Sequence, residues 1–337
     1  MILNPTVIAN LLAAYIASGM LLYAAYYGAQ ILKHWNIESG DELQLILERK
    51  TYLISTVLSF VFGLQLLSLF LYIFTADALS PLFVGAMCAA GTLNINGFGY
   101  PTLELKILNF ILAGLWLVLN HADNQGYDYP LIKKKYLLLL IITPFIVIET
   151  ILESAYFLGM RADVITSCCG SLFSSEKATG LGSEIAALPA KQMLWIFYGG
   201  MFVTLLSGLL FYLKRIGGSL YAVLSFAMFL VSLAAIVSAI SLYIYELPTH
   251  HCPFCIIMPD YHYIGYLLYV LLFGAVVTGM GSGLLLPFRG IASLSAVLED
   301  FIGKLALTSV VLFMLFMAFV SYEILSSSLV ISYEVVY

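Results

Sequence analysis

Residues 219–245 read SLYAVLSFAMFLVSLAAIVSAISLYIY, twenty-seven positions without a charged side chain. As an α-helix rising ~1.5 Å per residue, this run extends about 40 Å, enough to cross a hydrocarbon layer about 30 Å thick. It is too long for a strand and too uniformly apolar for a helix with one wet face. Comparable runs recur at about 7–32, 52–76, 103–120, 136–159, 192–213, 263–286 and 305–327, separated by polar or glycine- and proline-rich stretches. The 337-residue chain is 62% hydrophobic and only 10% charged, against roughly 25% charged in an ordinary soluble domain. Lipid accepts only structures whose backbone hydrogen bonds close internally, and barrels need short alternating segments. The reading is therefore an all-α, polytopic transmembrane helical bundle of about eight spans, a single membrane domain over 1–337.

Two connecting segments carry amphipathic signals. In 36–50, Leu43, Ile46 and Leu47 stand among Glu38, Asp41, Glu42, Glu48 and Arg49, which fits either an extension of the first two helices or a surface helix. Residues 288–303 read as a second interfacial segment. Met1 to Thr6 holds no basic residue, and the apolar run after it is longer than a signal core, so it reads as the first span.

Orientation follows from the basic residues. Lys33, Arg49, Lys50, Lys133, Lys134, Lys135, Lys214, Arg215, Arg289 and Lys304 fall on one side, and Lys106, Arg161, Lys177 and Lys191 on the other. The richer side is expected to be cytoplasmic, which puts both termini outside the cytoplasm. The long connections 77–102, 160–191 and 246–262 then lie on the outer face, where loops carry function. Parallel halves, 1–160 and 192–337, joined by the extracytoplasmic loop 160–191, are geometrically allowed. The expected surroundings are a lipid bilayer, with the bacterial or archaeal cytoplasmic membrane as location. With no basic patch interleaved with aromatics and no phosphate-cradling glycine loop, nucleic acid is not an expected partner.

All five cysteines fall in those outer connections: Cys88 in the first, Cys168 and Cys169 in the second, Cys252 and Cys255 in the third. The sharpest motif is Thr249-His250-His251-Cys252-Pro253-Phe254-Cys255. A C-x-x-C pair brings two sulfurs into one turn, and a nearby cation or helix amino terminus lowers the thiol pKa towards a reactive thiolate. The same pair also suits metal ligation or a structural disulfide that braces loops in a transporter or non-catalytic subunit of a membrane complex. No histidine follows Cys255 directly, which argues against covalent haem attachment. The adjacent Cys168-Cys169 pair is badly placed to close on itself.

Around Cys252-Pro-Phe-Cys255 the chain resembles membrane thiol oxidoreductases of the vitamin K epoxide reductase and DsbB type, over about thirty residues. The resemblance implies a redox-active Cys252–Cys255 pair at the extracytoplasmic mouth of a helix, beside a quinone pocket. It further implies relay by Cys88 or by Cys168 and Cys169 from an extracytoplasmic thiol protein, with His250 or His251 assisting. This chain has about eight spans rather than four or five, and an Ile-Ile-Met-Pro-Asp-Tyr-His insert precedes the next helix. A competing arrangement gathers Cys252, Cys255 and further sulfurs with His250, His251 or His262 around copper or zinc.

Ionisable residues also stand inside the spans. Glu149 and Glu153 lie one turn apart on the fourth span and Glu323 stands on the eighth. With Glu104, Lys106 and Asn109 on the third, they suggest a polar cavity open to the outer face. It reads either as a proton path or cofactor and substrate pocket, or as structural interhelical pairing. Gly199-Gly200 and the run Gly279 to Gly283 are expected to serve close helix packing. His34 and His121 end spans on the cytoplasmic side, where interfacial roles are commoner than haem ligation.

Overall fold

A computed structural model describes residues 3–37, 39–161, 163–166, 181–186 and 188–330. Among these, eight helices are long and apolar enough to cross a membrane, and there is no strand. They are α1 (Pro5–His34), α2 (Glu42–Leu79), α3 (Gly99–Asp123), α4 (Ile132–Leu158), α5 (Ala190–Lys214), α6 (Gly218–Tyr245), α7 (Ile264–Leu284) and α8 (Leu298–Ser326). Asn4 starts α1 by accepting the Thr6 N–H at 3.0 Å, and Pro5 fills the first turn, where no N–H is needed.

Two helices reach further than the apolar runs. α2 begins at Glu42, so 42–50 is its continuation and not a separate surface helix. The buried positions Gln44, Leu47, Thr51, Ile54, Leu58, Val61, Gln65 and Tyr72 keep one stripe along it. α8 begins at Leu298, and Leu298, Ile302, Ala306, Ser309 and Phe313 continue its buried stripe, while Asp300 and Lys304 pair at 2.7 Å on the exposed face. Within 286–294 the chain makes two 3₁₀ turns, Leu286–Phe288 and Ala292–Leu294.

The chain divides into two compact units. One comprises Met1–Thr75, Leu93–Ala162 and Met280–Leu305, and the other Ala76–Thr92, Asp163–Gly279 and Ala306–Tyr337. The core of the first gathers Leu21, Ile31, Leu58, Phe62, Trp116 and Tyr136, with the Phe62 and Trp116 rings 4.8 Å apart. The second is cored by aromatic pairs, Phe229 with Phe273 at 5.0 Å and Phe197 with Phe316 at 6.0 Å.

Polarity is distributed inside out. Phe60, Leu67, Trp195 and Phe202 are exposed, whereas Lys106, Asp123, Lys135, Glu149 and Glu153 are fully buried. Water would penalise both halves of this pattern, and a hydrocarbon solvent penalises neither when the charges pair inside. Lys135, one of three successive lysines, is among the buried ones: its Nζ meets Asp123 Oδ2 at 2.6 Å and Asn120 Oδ1 at 3.0 Å, leaving Lys133 and Lys134 exposed.

Glycines serve close approach at some of the expected places. A Cβ at Gly279 would meet Ser225 of α6 and Ser309 of α8, and one at Gly281 would touch Val118 of α3. Gly199 faces open space. Ser309 accepts from the Tyr221 hydroxyl and donates to the Ala275 carbonyl, both at 2.7 Å. Gly279→Val is therefore expected to cost about 1–3 kcal/mol by overpacking, read as a lower thermal midpoint of the detergent-solubilised chain.

Candidate functional site

Cys88 is set by the end of α2. Beyond a 3₁₀ turn, Ser80–Leu82, the chain folds back to a short helix, Ala89–Leu93, and Cys88 stands just before it, its carbonyl accepting the Gly91 N–H at 3.1 Å. Asp77 of α2 accepts the Ala89 N–H at 3.3 Å, so a carboxylate anchors the helix start beside the cysteine. Thr166 pins the segment 163–166 here: its N–H donates to the Val84 carbonyl at 3.0 Å and its hydroxyl to the Gly91 carbonyl at 2.8 Å.

Cys252 and Cys255 are set by α6 and α7. Glu246 adopts the left-handed conformation that ends α6. Two 3₁₀ turns, Cys255–Ile257 and Pro259–Tyr261, then lead to α7, with His262 and Tyr263 also left-handed. Two tyrosines hold the motif by its backbone. The Tyr245 hydroxyl donates to the Cys252 carbonyl, and that of Tyr269 to the Pro253 carbonyl at 2.8 Å.

The sulfurs of Cys88, Cys252 and Cys255 consequently lie within 4.8 Å of one another, with Cys88 Sγ 3.7 Å from Cys252 Sγ. Cys88 and Cys252 are 0% exposed and Cys255 is 7% exposed. All three belong to the second unit. Among the described residues, this is the group of three or more Cys, His, Asp or Glu side chains whose donor atoms converge so closely. Cys168 and Cys169 lie outside the described residues.

The histidines flank this group. α6 opens into a π turn over Ile236–Ile240, and His251 Nδ1 sits 3.1 Å from the Val237 carbonyl there. A carbonyl only accepts, so Nδ1 carries the hydrogen and Nε2 is left as the basic nitrogen. His250 lies edge-on to the Tyr245 ring, with centroids 4.5 Å apart. Burial pushes both imidazoles below their ordinary pKa. For His250, Cys88 opposes the shift and His251 adds to it; for His251, the Val237 hydrogen bond opposes it. Both rings therefore favour the neutral form more than an exposed imidazole does, which suits them to accept a thiol proton. His262 is exposed.

The charged residues of the spans form a second cluster, in the first unit. Lys106 Nζ lies 2.8 Å from Glu149 Oε1 and 3.1 Å from Glu153 Oε2, with Ser68 at 3.4 Å and the Tyr72 ring centroid at 5.3 Å. Gln65 Nε2 donates to both Glu149 oxygens, at 2.9 and 2.8 Å, and Asn109 donates to Oε2. Lys106, Asn109, Glu149 and Glu153 thus meet, packed against one another. Glu104 is exposed, and Glu323 belongs to the other unit and is half-buried.

Comparison with protein-family models, with curated proteins and with solved structures finds no match. Both clusters therefore rest on their own chemistry. Sequence reading did not single out Asp77, Tyr245, Tyr269 or Gln65. An aspartate closing an apolar run was the one available signal, whereas the tyrosines act through backbone carbonyls and leave no motif.

Proposed function

We propose that the protein is an integral membrane thiol–disulfide redox protein whose centre is the trio Cys88, Cys252 and Cys255. The observation that carries this reading is the 3.7 Å approach of Cys88 Sγ to Cys252 Sγ, two residues 164 positions apart in the chain. Thiol–disulfide exchange requires a thiolate to reach one sulfur of a disulfide while the other leaves. With Cys252 and Cys255 joined, attack of Cys88 on Cys252 forms a Cys88–Cys252 bond and releases Cys255 as thiolate. Attack by Cys255 reverses it. The exchange itself moves no net electrons. Net turnover oxidises two thiols of a partner protein to a disulfide, with two electrons and two protons passing to an acceptor, for which a membrane quinone is the proposed class. His250 and His251 are the proposed acceptors of the thiol proton whose loss makes each attack possible. The local resemblance to vitamin K epoxide reductase and DsbB-type proteins supports this reading. So does the charge asymmetry of the loops, by which both termini and the cysteine-bearing face lie outside the cytoplasm of a bacterium or archaeon.

A second reading has its own observation. Two thiolates bound at ~2.3 Å to one tetrahedral ion stand roughly 3.8 Å apart, close to the separation of Cys88 and Cys252. Copper or zinc held by three sulfurs is the corresponding proposal.

Thiol-state mapping by mass spectrometry, on protein from native membranes held at oxidising and then reducing potential, separates the two. The redox reading expects Cys252–Cys255 and Cys88–Cys252 bonds that appear and disappear with potential. Bonds that persist at every potential, or a stoichiometric ion that protects all three thiols, would overturn it.

A further inference from the structure

We infer that the buried cluster of Lys106, Glu149 and Glu153 is a proton-binding site, with Glu153 as the group that carries an exchangeable proton. The inference stands apart from the sulfur chemistry. It begins with a charge count: one lysine faces two glutamates, and the three side chains are 1%, 2% and 0% exposed. The same unit holds a contrasting case, Lys135 with Asp123, where one cation meets one anion. A low-dielectric interior accepts the balanced pair and rejects the surplus anion of the triad unless a proton neutralises it.

The hydrogen bonds say which carboxyl holds the charge. Glu149 receives both contacts of Gln65, one from Lys106 and one from Asn109, so each of its oxygens has two donors. That is the environment of a carboxylate. Glu153 has the Lys106 ammonium 3.1 Å from Oε2, while its Oε1 receives no hydrogen bond, although the side chain is fully buried. Asn109 Oδ1 is likewise a buried acceptor that receives no hydrogen bond. A site with surplus acceptors and surplus negative charge lacks a hydrogen.

Among the described residues, the surrounding elements bring no other charge to compensate. α2 contributes Gln65, Ser68 and the neutral phenol of Tyr72, α3 contributes Lys106 and Asn109, and α4 itself contributes Glu149 and Tyr156. α1, which packs along α4, has no charged residue from Pro5 to Leu32 and offers Ser18 to Thr150 and Tyr15 to Ser154. Exchange has an approach. A narrow cleft between α1 and α2, lined by Ala13, Ala17, Val61 and Leu64, includes Gln65 and Ser68, the residues that touch Glu149 and Lys106.

Infrared spectroscopy of the carboxyl stretch, on the full chain in detergent and in lipid, tests this. The wild type is expected to show a protonated-carboxyl band at neutral pH that shifts in heavy water. Glu153→Gln, which has the shape of the protonated acid, should lose that band and still fold. Glu149→Gln should lose it too, because Lys106 and Glu153 then balance one to one. Lys106→Met should strengthen it. Absence of the band in wild type from mildly acidic to mildly alkaline buffer, its survival in Glu153→Gln, or its failure to shift in heavy water would overturn the proposal.

Discussion

Replacing Lys106 with methionine is expected to destabilise the protein by about 3–5 kcal/mol, the range seen when one partner of a buried ion pair is removed. The ammonium is the single cation of its cluster and lies within 3.1 Å of both Glu149 and Glu153. Without it, Glu149 keeps Gln65 and Asn109 as donors but has no counter-charge. The remedy open to the protein is to protonate Glu149, so the deficit should shrink as pH falls and grow as pH rises. Pairing the change with Glu149→Gln should restore part of the loss, because it removes the stranded anion. Thermal unfolding of the full chain in detergent, followed across pH for wild type, the single variant and the double variant, measures this. A loss below about 1 kcal/mol, the worth of a solvent-exposed pair, would mean that water reaches the cluster freely.

Replacing Cys252 with serine is expected to abolish thiol–disulfide turnover outright, since a hydroxyl neither forms the bond to sulfur nor leaves as a thiolate. Cys252 is the sulfur common to both exchange partners in the proposed reaction, so its loss should also leave Cys88 and Cys255 as thiols. Cys88→Ser should differ in kind, retaining a Cys252–Cys255 bond that no longer exchanges inward. The measurement is oxidation of a reduced dithiol by membranes containing the full chain and a short-chain quinone, alongside non-reducing mass mapping of each variant. Because Cys252 is fully buried, Cys252→Ala serves as the control for the cost of placing a hydroxyl there. Turnover that survives in both Cys252 variants would remove the sulfur trio from the proposed chemistry.

The eight long helices were legible because hydropathy over a twenty-residue window is a property of composition, and composition needs no tertiary information. Their ends were less so. The apolar reading stopped at charges, yet Asp300 and Lys304 ride on the exposed face of α8, and Glu42 starts α2. The triad was legible in part. The one-turn spacing of Glu149 and Glu153 marks a shared helix face, but the role of Gln65 depends on how α2 packs. Convergence of Cys88 on Cys252 had no local signature at all, since nothing in the chain near either residue records a partner 164 positions away. The sequence records His250 and His251 beside the motif but not their surroundings. Burial in the folded chain pushes both imidazoles below their ordinary pKa.

The π turn in α6 gives its length a meaning. Such a turn holds one residue more than the α-helix it interrupts, and one residue is about 100° of rotation. Every side chain downstream is therefore dialled to a different azimuth from the one an unbroken helix would give it, Tyr245 included. The surplus residue acts as a phase setting. It turns the phenol towards the carbonyl of Cys252, and within the turn the carbonyl of Val237 receives both His251 and the Ser241 hydroxyl.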